Sequence, residues 1–176
     1  MESFPIDTLP QAGYIHMACF ISVKNAADLK ERLQIQDKSL KFAMVQSSLI
    51  MDVFQLLVAA TRSAQDNDAG KLKTQTLSSE IVYNLSPTNN IAESLRRFGI
   101  DETTKSLVAI KIGGEADQVL EEMSNTIDGN LVSFSKLDQE KDMVKLRKYY
   151  KIDPKVTDDT AILNWIIGAI AMKNIQ

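Results

Sequence analysis

Four stretches of the chain carry the alternation of side chains that a β-strand requires. Residues 14–23 place apolar side chains on both alternating faces, which predicts an interior strand. One face carries Ile15, Met17, Cys19 and Ile21, and the other carries Tyr14, His16, Ala18 and Phe20. Residues 106–112 (SLVAIKI) predict the clearest strand, and shorter apolar runs predict strands at 42–45 and 131–134.

Apolar residues spaced three or four positions apart predict helices between these strands. Asn25 begins the first helix, and Asp52 begins a helix that is apolar nearly all round, as is typical of a helix in the centre of a fold. Further helices are predicted at 116–123, at 137–150 and from 157 to 172. The expected inner contacts of the helix at 137–150 are Val144, Leu146 and Tyr150.

Residues 70–100 contain two more helix signals, which a polar break separates. Thr76 can cap the first helix, whose buried stripe is Leu77, Ile81 and Leu85. That helix ends at Ser86-Pro87, because the residue before a proline avoids the α conformation.

Asn90 can cap the second helix, with Glu93 completing a capping box. Its apolar face is formed by Ile91, Leu95 and Phe98. Gly99 suits the left-handed position after a helix, where the next residue, Ile100, would contact Leu95.

The predicted order of elements lacks the strict strand–helix alternation of a parallel sheet. It predicts an α+β fold in which a small mixed or antiparallel sheet packs against several helices in two layers. A length of 176 residues favours one domain that spans residues 1–176.

Composition narrows the functional classes. The formal net charge is −3, so any nucleic acid would have to bind at a local basic patch. Cys19 is the single cysteine, which excludes an intramolecular disulfide and fits a reducing compartment. The N-terminus lacks a signal-peptide pattern, and the apolar run at 161–172 is too short to span a membrane. We therefore expect a soluble intracellular protein without a membrane partner.

No catalytic or metal-binding pattern is present. His16 is the only histidine and lies in the predicted strand at 14–23, so a structural role is favoured over catalysis. One histidine and one cysteine do not make an ordinary zinc site. Gly70-Lys71 resembles the end of a P-loop, but Gln65 and Leu72 replace the required glycine and hydroxyl residue. We expect no enzymatic activity, no metal and no cofactor.

A short basic segment precedes the helix that Thr76 caps. Lys71, Lys73 and Thr74 lie just before a helix N-terminus, where free backbone N–H groups suit a phosphate. Arg96 and Arg97 end the next helix, where they are ordinary partners of the helix dipole.

The last predicted helix carries apolar side chains over more than one face. Its main face is formed by Ile162, Trp165, Ile166, Ala169 and Ile170, and Leu163 and Ile167 widen it. Two interpretations remain open, a partner-binding ridge and a terminal helix that is wholly buried.

The segment KLKTQTLSSEIVYNLSPTNNIAESLRRFGI closely resembles the signature of the PRPK-binding protein family, the small kinase-binding subunit of the EKC/KEOPS complex. The similarity extends to VKNAADLKERL, FQLLVAATRSA and KLRKYYKI and covers most of the chain. The resemblance implies a non-catalytic adaptor of the cytoplasm and nucleus. Such an adaptor binds the complex's atypical kinase, assembles with other subunits and helps recruit tRNA through its 3′ CCA end. The complex adds a threonylcarbamoyl group to adenosine 37 of tRNA.

Two departures from the family pattern occur, since Thr61-Arg62 stands where Asn-Lys is frequent and Gln75 stands where members usually have arginine. The second matters more, because a bidentate phosphate contact is then missing. The charge would then have to come from nearby lysines or from Arg62. The implied RNA-binding residues are Arg62, Lys71, Lys73, Thr74, Gln75 and Ser79. The implied kinase interface is Ile162, Trp165, Ile166, Ala169 and Ile170. The alternatives are a kinase regulator without RNA contact and a small-molecule-binding domain, for which no pocket signature exists.

Overall fold

Five antiparallel strands form one sheet in the computed structural model, which describes residues 1–173. The strands are β1 (Glu2–Pro5), β2 (Tyr14–Ile21), β3 (Ala43–Gln46), β4 (Leu107–Ile112) and β5 (Asn130–Val132). Their order is β1-β2-β4-β3, and β5 pairs with the C-terminal part of β2. The strands predicted at 14–23, 42–45, 106–112 and 131–134 are therefore confirmed to within two residues at each end.

Eight α-helices accompany the sheet in the described part of the chain. They are α1 (Ala26–Gln34), α2 (Val53–Asp68), α3 (Leu77–Leu85), α4 (Ile91–Phe98), α5 (Ala116–Thr126), α6 (Leu137–Glu140), α7 (Met143–Tyr150) and α8 (Asp159–Met172). The α+β class is confirmed, and all pairs within the sheet are antiparallel.

Helices cover both faces of the sheet, whereas the sequence led us to expect two layers. Ile15 and Met17 of β2 belong to a core that includes residues from α2, α3, α7 and α8. Ala18 and Phe20 of the same strand face a second core with residues of α1 and α5. The physical reason is that β2 and β4 carry apolar side chains on both faces, and each face needs a cover.

Buried polar contacts fix α7 against its neighbours. The Tyr150 hydroxyl donates to the Leu85 carbonyl oxygen at the end of α3 and accepts from the Gln55 side chain of α2 at 3.1 Å. Burial raises the pKa of Tyr150 well above its usual range. The Trp165 Nε1–H of α8 donates to the Tyr150 carbonyl oxygen at 3.0 Å, so α8 is tied to the same point.

The ending predicted for α4 is wrong in its conformation. Gly99 has an extended backbone, with φ −69° and ψ 169°, and is not left-handed. Glycine is needed there for space, because a Cβ atom would lie 2.5 Å from the Leu95 carbonyl oxygen. Ile100 does not turn back to Leu95, since it packs into the core on the α1 and α5 side of the sheet.

The helix predicted at 137–150 is broken into α6 and α7. Lys141 is extended between them, and the Asp142 N–H donates to the Ser48 carbonyl oxygen at 2.8 Å. Asp142 then caps α7 by accepting from the Lys145 N–H. Leu146 and Tyr150 are buried as expected, but the Val144 side chain is 78% exposed, so its predicted inner contact is wrong.

Two cap predictions also need correction. Asn25 precedes α1 as expected, yet its side chain does not cap the helix and instead bonds the Thr126 carbonyl oxygen and the Asp128 N–H. Asn90 accepts from the Glu93 N–H, but no reciprocal bond from the Glu93 side chain completes a capping box. Among residues 1–173, no helix combines the length and apolar character needed to cross a bilayer.

Candidate functional site

A buried glutamate, Glu80, holds the basic loop before α3 by hydrogen bonds. Glu80 is fully buried, and its Oε2 accepts from the Lys73 N–H at 3.0 Å, the Thr74 N–H at 2.8 Å and the Thr74 hydroxyl at 2.7 Å. Glu80 can reach these groups because it lies in the first turn of α3, only six or seven positions after Thr74 and Lys73. The carboxylate therefore fixes the shape of residues 71–76.

A complete capping box closes the same turn. The Thr76 side chain accepts from the Ser79 N–H at 3.1 Å, and the Ser79 hydroxyl accepts from the Thr76 N–H at 3.2 Å. This confirms Thr76 as the cap of α3. We predicted that Ser79 contacts RNA, but its hydroxyl is hydrogen-bonded to Thr76 and to the Thr74 side chain.

The predicted phosphate site is only partly available. Two of the backbone N–H groups that we expected to be free, those of Lys73 and Thr74, are bound by Glu80. Within the described residues, the N–H groups of Gln75, Leu77 and Ser78 have no hydrogen-bond acceptor. The free groups therefore lie at the first turn of α3, one step further along the chain than we predicted.

Of the predicted RNA-binding side chains, three point into solvent. Lys71, Lys73 and Gln75 are exposed, and no ion pair engages either lysine within the described residues. Thr74 and Ser79 are half-buried and committed to internal bonds. The exposed positive charge of the loop is thus that of the two lysines.

Arg62 does not belong to this surface. Its guanidinium donates to the carbonyl oxygens of Ile170 at 2.6 Å, Ala171 at 3.0 Å and Lys173 at the C-terminal end of α8. The Ile170 carbonyl oxygen also accepts from the Lys173 N–H at 3.4 Å, and a cation at this end of the helix suits the helix dipole. Three of its hydrogen bonds are thus made to the end of α8, and a contact of Arg62 with RNA stays a prediction.

The kinase face predicted on α8 is mostly core. Ile162, Ile166 and Ile170 are buried against the α2 and α3 side of the sheet. Ala169 is half-buried against the same core, whereas the Trp165 side chain is 42% exposed. The sequence left open whether α8 is a partner-binding ridge or a wholly buried helix. In the structure, one side of α8 is buried and the other side is exposed to solvent. A kinase contact stays a prediction, and it can involve only the solvent side of the helix.

We call that solvent side the outer face of α8. It comprises Ala161, Asn164, Trp165, Gly168, Ala171 and Met172. No charged residue occurs between Thr160 and Met172, so this exposed face is uncharged and mostly apolar. Beside it, an open groove of about 590 Å³ runs along α2 and is lined by Phe54, Leu57, Val58 and Ala171, among others.

The sequence led us to expect that α2 is buried on all sides. One side of α2 is exposed in the structure, and that side contributes to the apolar surface. Residues such as Leu56 and Ala60 are buried, but the Phe54 side chain is 52% exposed. Together, the outer face of α8 and the exposed side of α2 form an apolar surface rimmed by polar residues, as is typical of a protein-binding site.

A buried polar cluster joins α2, α3 and the end of α8, and sequence reasoning missed it. The Asn84 amide donates to the Ser63 hydroxyl at 2.9 Å, while Asn84 Oδ1 and Glu80 Oε1 are buried and have no hydrogen-bond partner among residues 1–173. Lys173 is 4% exposed, and its ammonium donates to the Tyr83 carbonyl oxygen. The sequence signal for this cluster was weak. It consisted of Glu80 and Asn84, which lie four positions apart in the mostly apolar part of α3.

The residues considered for catalysis are engaged or inert. His16 is buried, with Nδ1 2.7 Å from the Ser3 hydroxyl and Nε2 3.0 Å from the Gly114 carbonyl oxygen. Burial and the charge of Glu140 raise the pKa of Cys19 to about 11, so its thiol stays protonated and unreactive at neutral pH. Within residues 1–173, no group of His, Cys, Asp or Glu side chains could hold a metal ion.

Comparison with known proteins places this arrangement in a family. The family model described as "Kinase binding protein CGI-121" matches residues 20–174. The chain belongs to the CGI-121 family of kinase-binding proteins. The resemblance drawn from residues 71–100 is thereby confirmed.

Relatives of the CGI-121 family align with nearly the whole chain. The EKC/KEOPS complex subunit CGI121 of Gibberella zeae is 31% identical over 195 residues, which cover 99% of each chain. The EKC/KEOPS complex subunit TPRKB of Danio rerio is 31% identical over 157 residues and 89% of each chain. The EKC/KEOPS complex subunit cgi121 of Schizosaccharomyces pombe is 28% identical, covering 90% of this chain and 92% of its own.

Proposed function

We propose that the chain is a non-catalytic EKC/KEOPS subunit that binds the complex's atypical kinase and helps recruit tRNA by its 3′ CCA end. The modified position would be adenosine 37, which receives its threonylcarbamoyl group from another subunit. The observation that carries the proposal is the CGI-121 family match over residues 20–174, together with relatives named as EKC/KEOPS subunits. We also propose that the protein acts in the cytoplasm and nucleus.

The kinase would dock on the outer face of α8 and the adjoining side of α2. Gly168 and Ala171 let a partner approach the helix backbone closely, and the absence of charge removes a desolvation cost. The indole of Trp165 is fixed by its bond to the Tyr150 carbonyl oxygen, so little side-chain entropy is lost on binding. An anchored, half-exposed tryptophan is a common centre of binding energy.

A substitution at Gly168 tests the docking surface without disturbing the core. A Cβ atom added at Gly168 meets no atom within 4 Å, so Gly168→Arg can fold while placing a long cation on the outer face. We expect at least a roughly tenfold loss of kinase affinity by surface plasmon resonance. The matched control is Ala92→Arg, which adds the same side chain to an exposed position of α4.

The outcomes are separable. Circular dichroism and thermal unfolding first establish that both variants are folded. Kinase binding by Gly168→Arg with unchanged affinity would show that the interface lies elsewhere. A loss shared by Ala92→Arg would point to a general effect of added charge rather than to the outer face.

The RNA would bind at the N-terminal end of α3. The free N–H groups of Gln75, Leu77 and Ser78 can bond phosphate oxygens, and Lys71 and Lys73 supply positive charge in solvent. The exposure of both lysines supports this role. A positive charge near the positive end of the helix dipole is unfavourable unless an anion binds beside it. If both lysines contact phosphates, the slope of the logarithm of the binding constant against the logarithm of salt concentration should be steeper by about 1.4 than in a variant without them.

Trimming the tRNA tests which part of it is held. We expect fluorescence anisotropy to show about tenfold weaker binding of tRNA that lacks its CCA end than of intact tRNA. Equal affinities would remove the 3′ end from the proposal.

The alternative is a kinase-binding regulator without direct RNA contact. One observation favours it, since Arg62 binds the end of α8. The family resemblance adds a second reason, because it leads us to expect arginine where this chain has Gln75. Complete failure of intact tRNA to bind, with kinase binding retained, would select this alternative.

A further inference from the structure

Helix α7 lies in a strongly basic segment of the chain. Residues 141–151 contain five basic residues and one acidic residue, although the chain as a whole has a net charge of −3. Lys141 is used inside the fold, since it pairs with Asp138 at 2.6 Å. Arg147 is also engaged, because it donates to the Val156 carbonyl oxygen at 2.7 Å. The other three basic side chains extend into solvent, and they are Lys145, Lys148 and Lys151.

The helix dipole does not account for all of these exposed lysines. Lys148 and Lys151 lie at the C-terminal end of α7, where a cation is favourable. Lys145 lies in the first turn, where the dipole disfavours a cation, and its ion pair with Asp142 is long at 3.6 Å. Lys145 and Lys148 are three positions apart, so they share one side of the helix. This pair of cations therefore needs another explanation.

The neighbouring helix α4 adds two arginines beside this side of α7. The Arg97 guanidinium carbon lies 4.7 Å from the centre of the Tyr149 ring, and Tyr149 is one helical turn after Lys145. Arg97 and Arg96 pair with the same carboxylate oxygen of Glu93, at 2.5 Å and 3.7 Å. Two positive charges of α4 are thus offset by one negative charge.

Arg97 has hydrogen-bond donors that are not used. Its Nε atom is buried and has no hydrogen-bond partner within the described residues, where Glu93 is the one anion that pairs with the guanidinium. Arg62 and Arg147 differ, because each donates to backbone carbonyl oxygens. A guanidinium held against a ring, with donors left over, is suited to bind a further anion.

We propose that α4 and α7 form a basic surface that binds the phosphate backbone of double-helical RNA. We call it the α4–α7 surface, and it consists of Arg96, Arg97, Lys145 and Lys148. Lysine and arginine neutralise phosphates without reading the base sequence. The choice of RNA as the polyanion rests on the proposed function, whereas the charge of the surface does not.

The composition of the α4–α7 surface favours a duplex backbone over other ligands. Tyr149 is its aromatic residue, and the ring is already in contact with Arg97 and lies 6.0 Å from the Phe98 ring. It is therefore poorly placed to stack on an unpaired base, which a single strand would need. A folded protein partner would require an apolar centre, whereas the centre of this surface is charged.

The α4–α7 surface adjoins the helix proposed to bind the tRNA tail. Gly99, which follows α4, lies beside α3, because a Cβ atom added there would be 3.8 Å from the Val82 side chain. Val82 is one helical turn after Ser78, whose N–H group is free for phosphate within the described residues. The two sites are thus on adjacent helices, and one tRNA can contact both.

A blunt-ended RNA hairpin without a single-stranded tail tests the α4–α7 surface alone. In fluorescence anisotropy, we expect the double variant Lys145→Gln with Lys148→Gln to bind it at least about fivefold more weakly than the wild type. The slope of the logarithm of the binding constant against the logarithm of salt concentration should become shallower by about 1.8. The matched control, Lys38→Gln with Lys41→Gln, removes the same charge from exposed lysines between α1 and β3 and should stay within about twofold of the wild type.

Two results would overturn the proposal. One is an equal loss of hairpin affinity in the two double variants, which would assign the effect to net charge. The other is a wild type that ignores the hairpin but binds a poly-glutamate peptide through Lys145 and Lys148, which would assign the surface to an acidic protein segment.

Measurements with tRNA separate this surface from the site at α3. The variant of Lys145 and Lys148 should lose the same factor with intact tRNA as with tRNA that lacks its CCA end, because the surface contacts paired nucleotides. A loss confined to intact tRNA would show that the surface binds the tail and would contradict the proposal. If trimming has no effect on the wild type, the CCA part of the proposed function fails, while the hairpin result on the α4–α7 surface stands.

Discussion

Arg62 and Lys173 show how strongly a side chain's role depends on distant sequence. Both are basic residues at the junction of α2, α3 and α8, but Arg62 binds carbonyl oxygens at the end of α8, whereas Lys173 is buried and donates to the Tyr83 carbonyl oxygen. The acceptors of Arg62 lie 108 to 111 positions away along the chain, so no local pattern could reveal them. The lysines of the loop could be predicted, because their exposure follows from a polar segment before a capped helix.

Removing the guanidinium of Arg62 should destabilise the fold. Arg62→Met loses charged hydrogen bonds to three carbonyl groups at the end of α8, and we expect about 2–3 kcal/mol less stability in urea unfolding. The matched control is Arg96→Met, because Arg96 is exposed and lies 3.7 Å from Glu93, so it should change stability by less than about 0.5 kcal/mol. Equal losses in the two variants would refute the capping role of Arg62.

Lys173 should make stability depend on pH. Burial and Arg62 lower its pKa from 10.5 to about 7 in the folded state, so between these values the unfolded chain binds more protons. Stability should therefore rise with pH in this window, by at most about 1.4 kcal/mol per pH unit, and the cost of the buried charge should be fully present below pH 7.

The measurement for Lys173 is urea unfolding across this window. We expect the wild type to gain stability relative to Lys173→Met as pH rises from about 7 to about 9, whereas Lys155→Met should follow the wild type. Parallel curves for the wild type and Lys173→Met would contradict the burial of a charged lysine.

Each helix end depends on its own local reason. α3 ends at Leu85 because Ser86-Pro87 follows, as the sequence predicted. α4 ends where Gly99 allows the chain to pass the Leu95 carbonyl oxygen, and the Gly99 carbonyl oxygen then accepts from the Gln46 side chain of β3 at 2.8 Å. In contrast, Gly168 lies inside α8 with open space around it.

Alanine at the two glycines should have opposite effects. Gly99→Ala brings Cβ to 2.5 Å from a backbone oxygen, so we expect a loss of about 1–3 kcal/mol. Gly168→Ala adds a helix-favouring methyl group in open space and should stabilise by up to about 1 kcal/mol. Thermal unfolding of both variants measures the difference, and a Gly99→Ala protein as stable as the wild type would contradict the close approach.

Periodicity predicted most elements but not their tertiary setting. Every predicted strand and all predicted helices but the one at 137–150 exist within a few residues, because each has its own apolar face. The break between α6 and α7 could not be predicted, since it depends on the bond from Asp142 to Ser48. The second helical layer was also missed, although β2 carries apolar side chains on both faces and each face needs a cover.

The whole molecule presents two different surfaces on different elements. The outer face of α8 is uncharged and mostly apolar, and Phe54, Leu57 and Val58 extend the apolar area onto α2. The N-terminal end of α3 instead offers two exposed lysines and N–H groups that have no acceptor within the described residues. The first surface suits a folded protein and the second suits phosphate. The resemblance predicted the family, which is confirmed, whereas the two binding surfaces stay proposals, for which we now name the residues exposed to solvent.

The most direct test of the two-surface adaptor is a reciprocal binding measurement. Gly168→Arg and the double variant Lys71→Glu with Lys73→Glu are each titrated with the kinase and with intact tRNA. We predict that Gly168→Arg loses at least about tenfold in kinase affinity and keeps its tRNA affinity to within about threefold. The lysine variant should lose at least about tenfold in tRNA affinity and keep its kinase affinity. Unchanged tRNA affinity in the lysine variant, or unchanged kinase affinity in Gly168→Arg, would contradict the account.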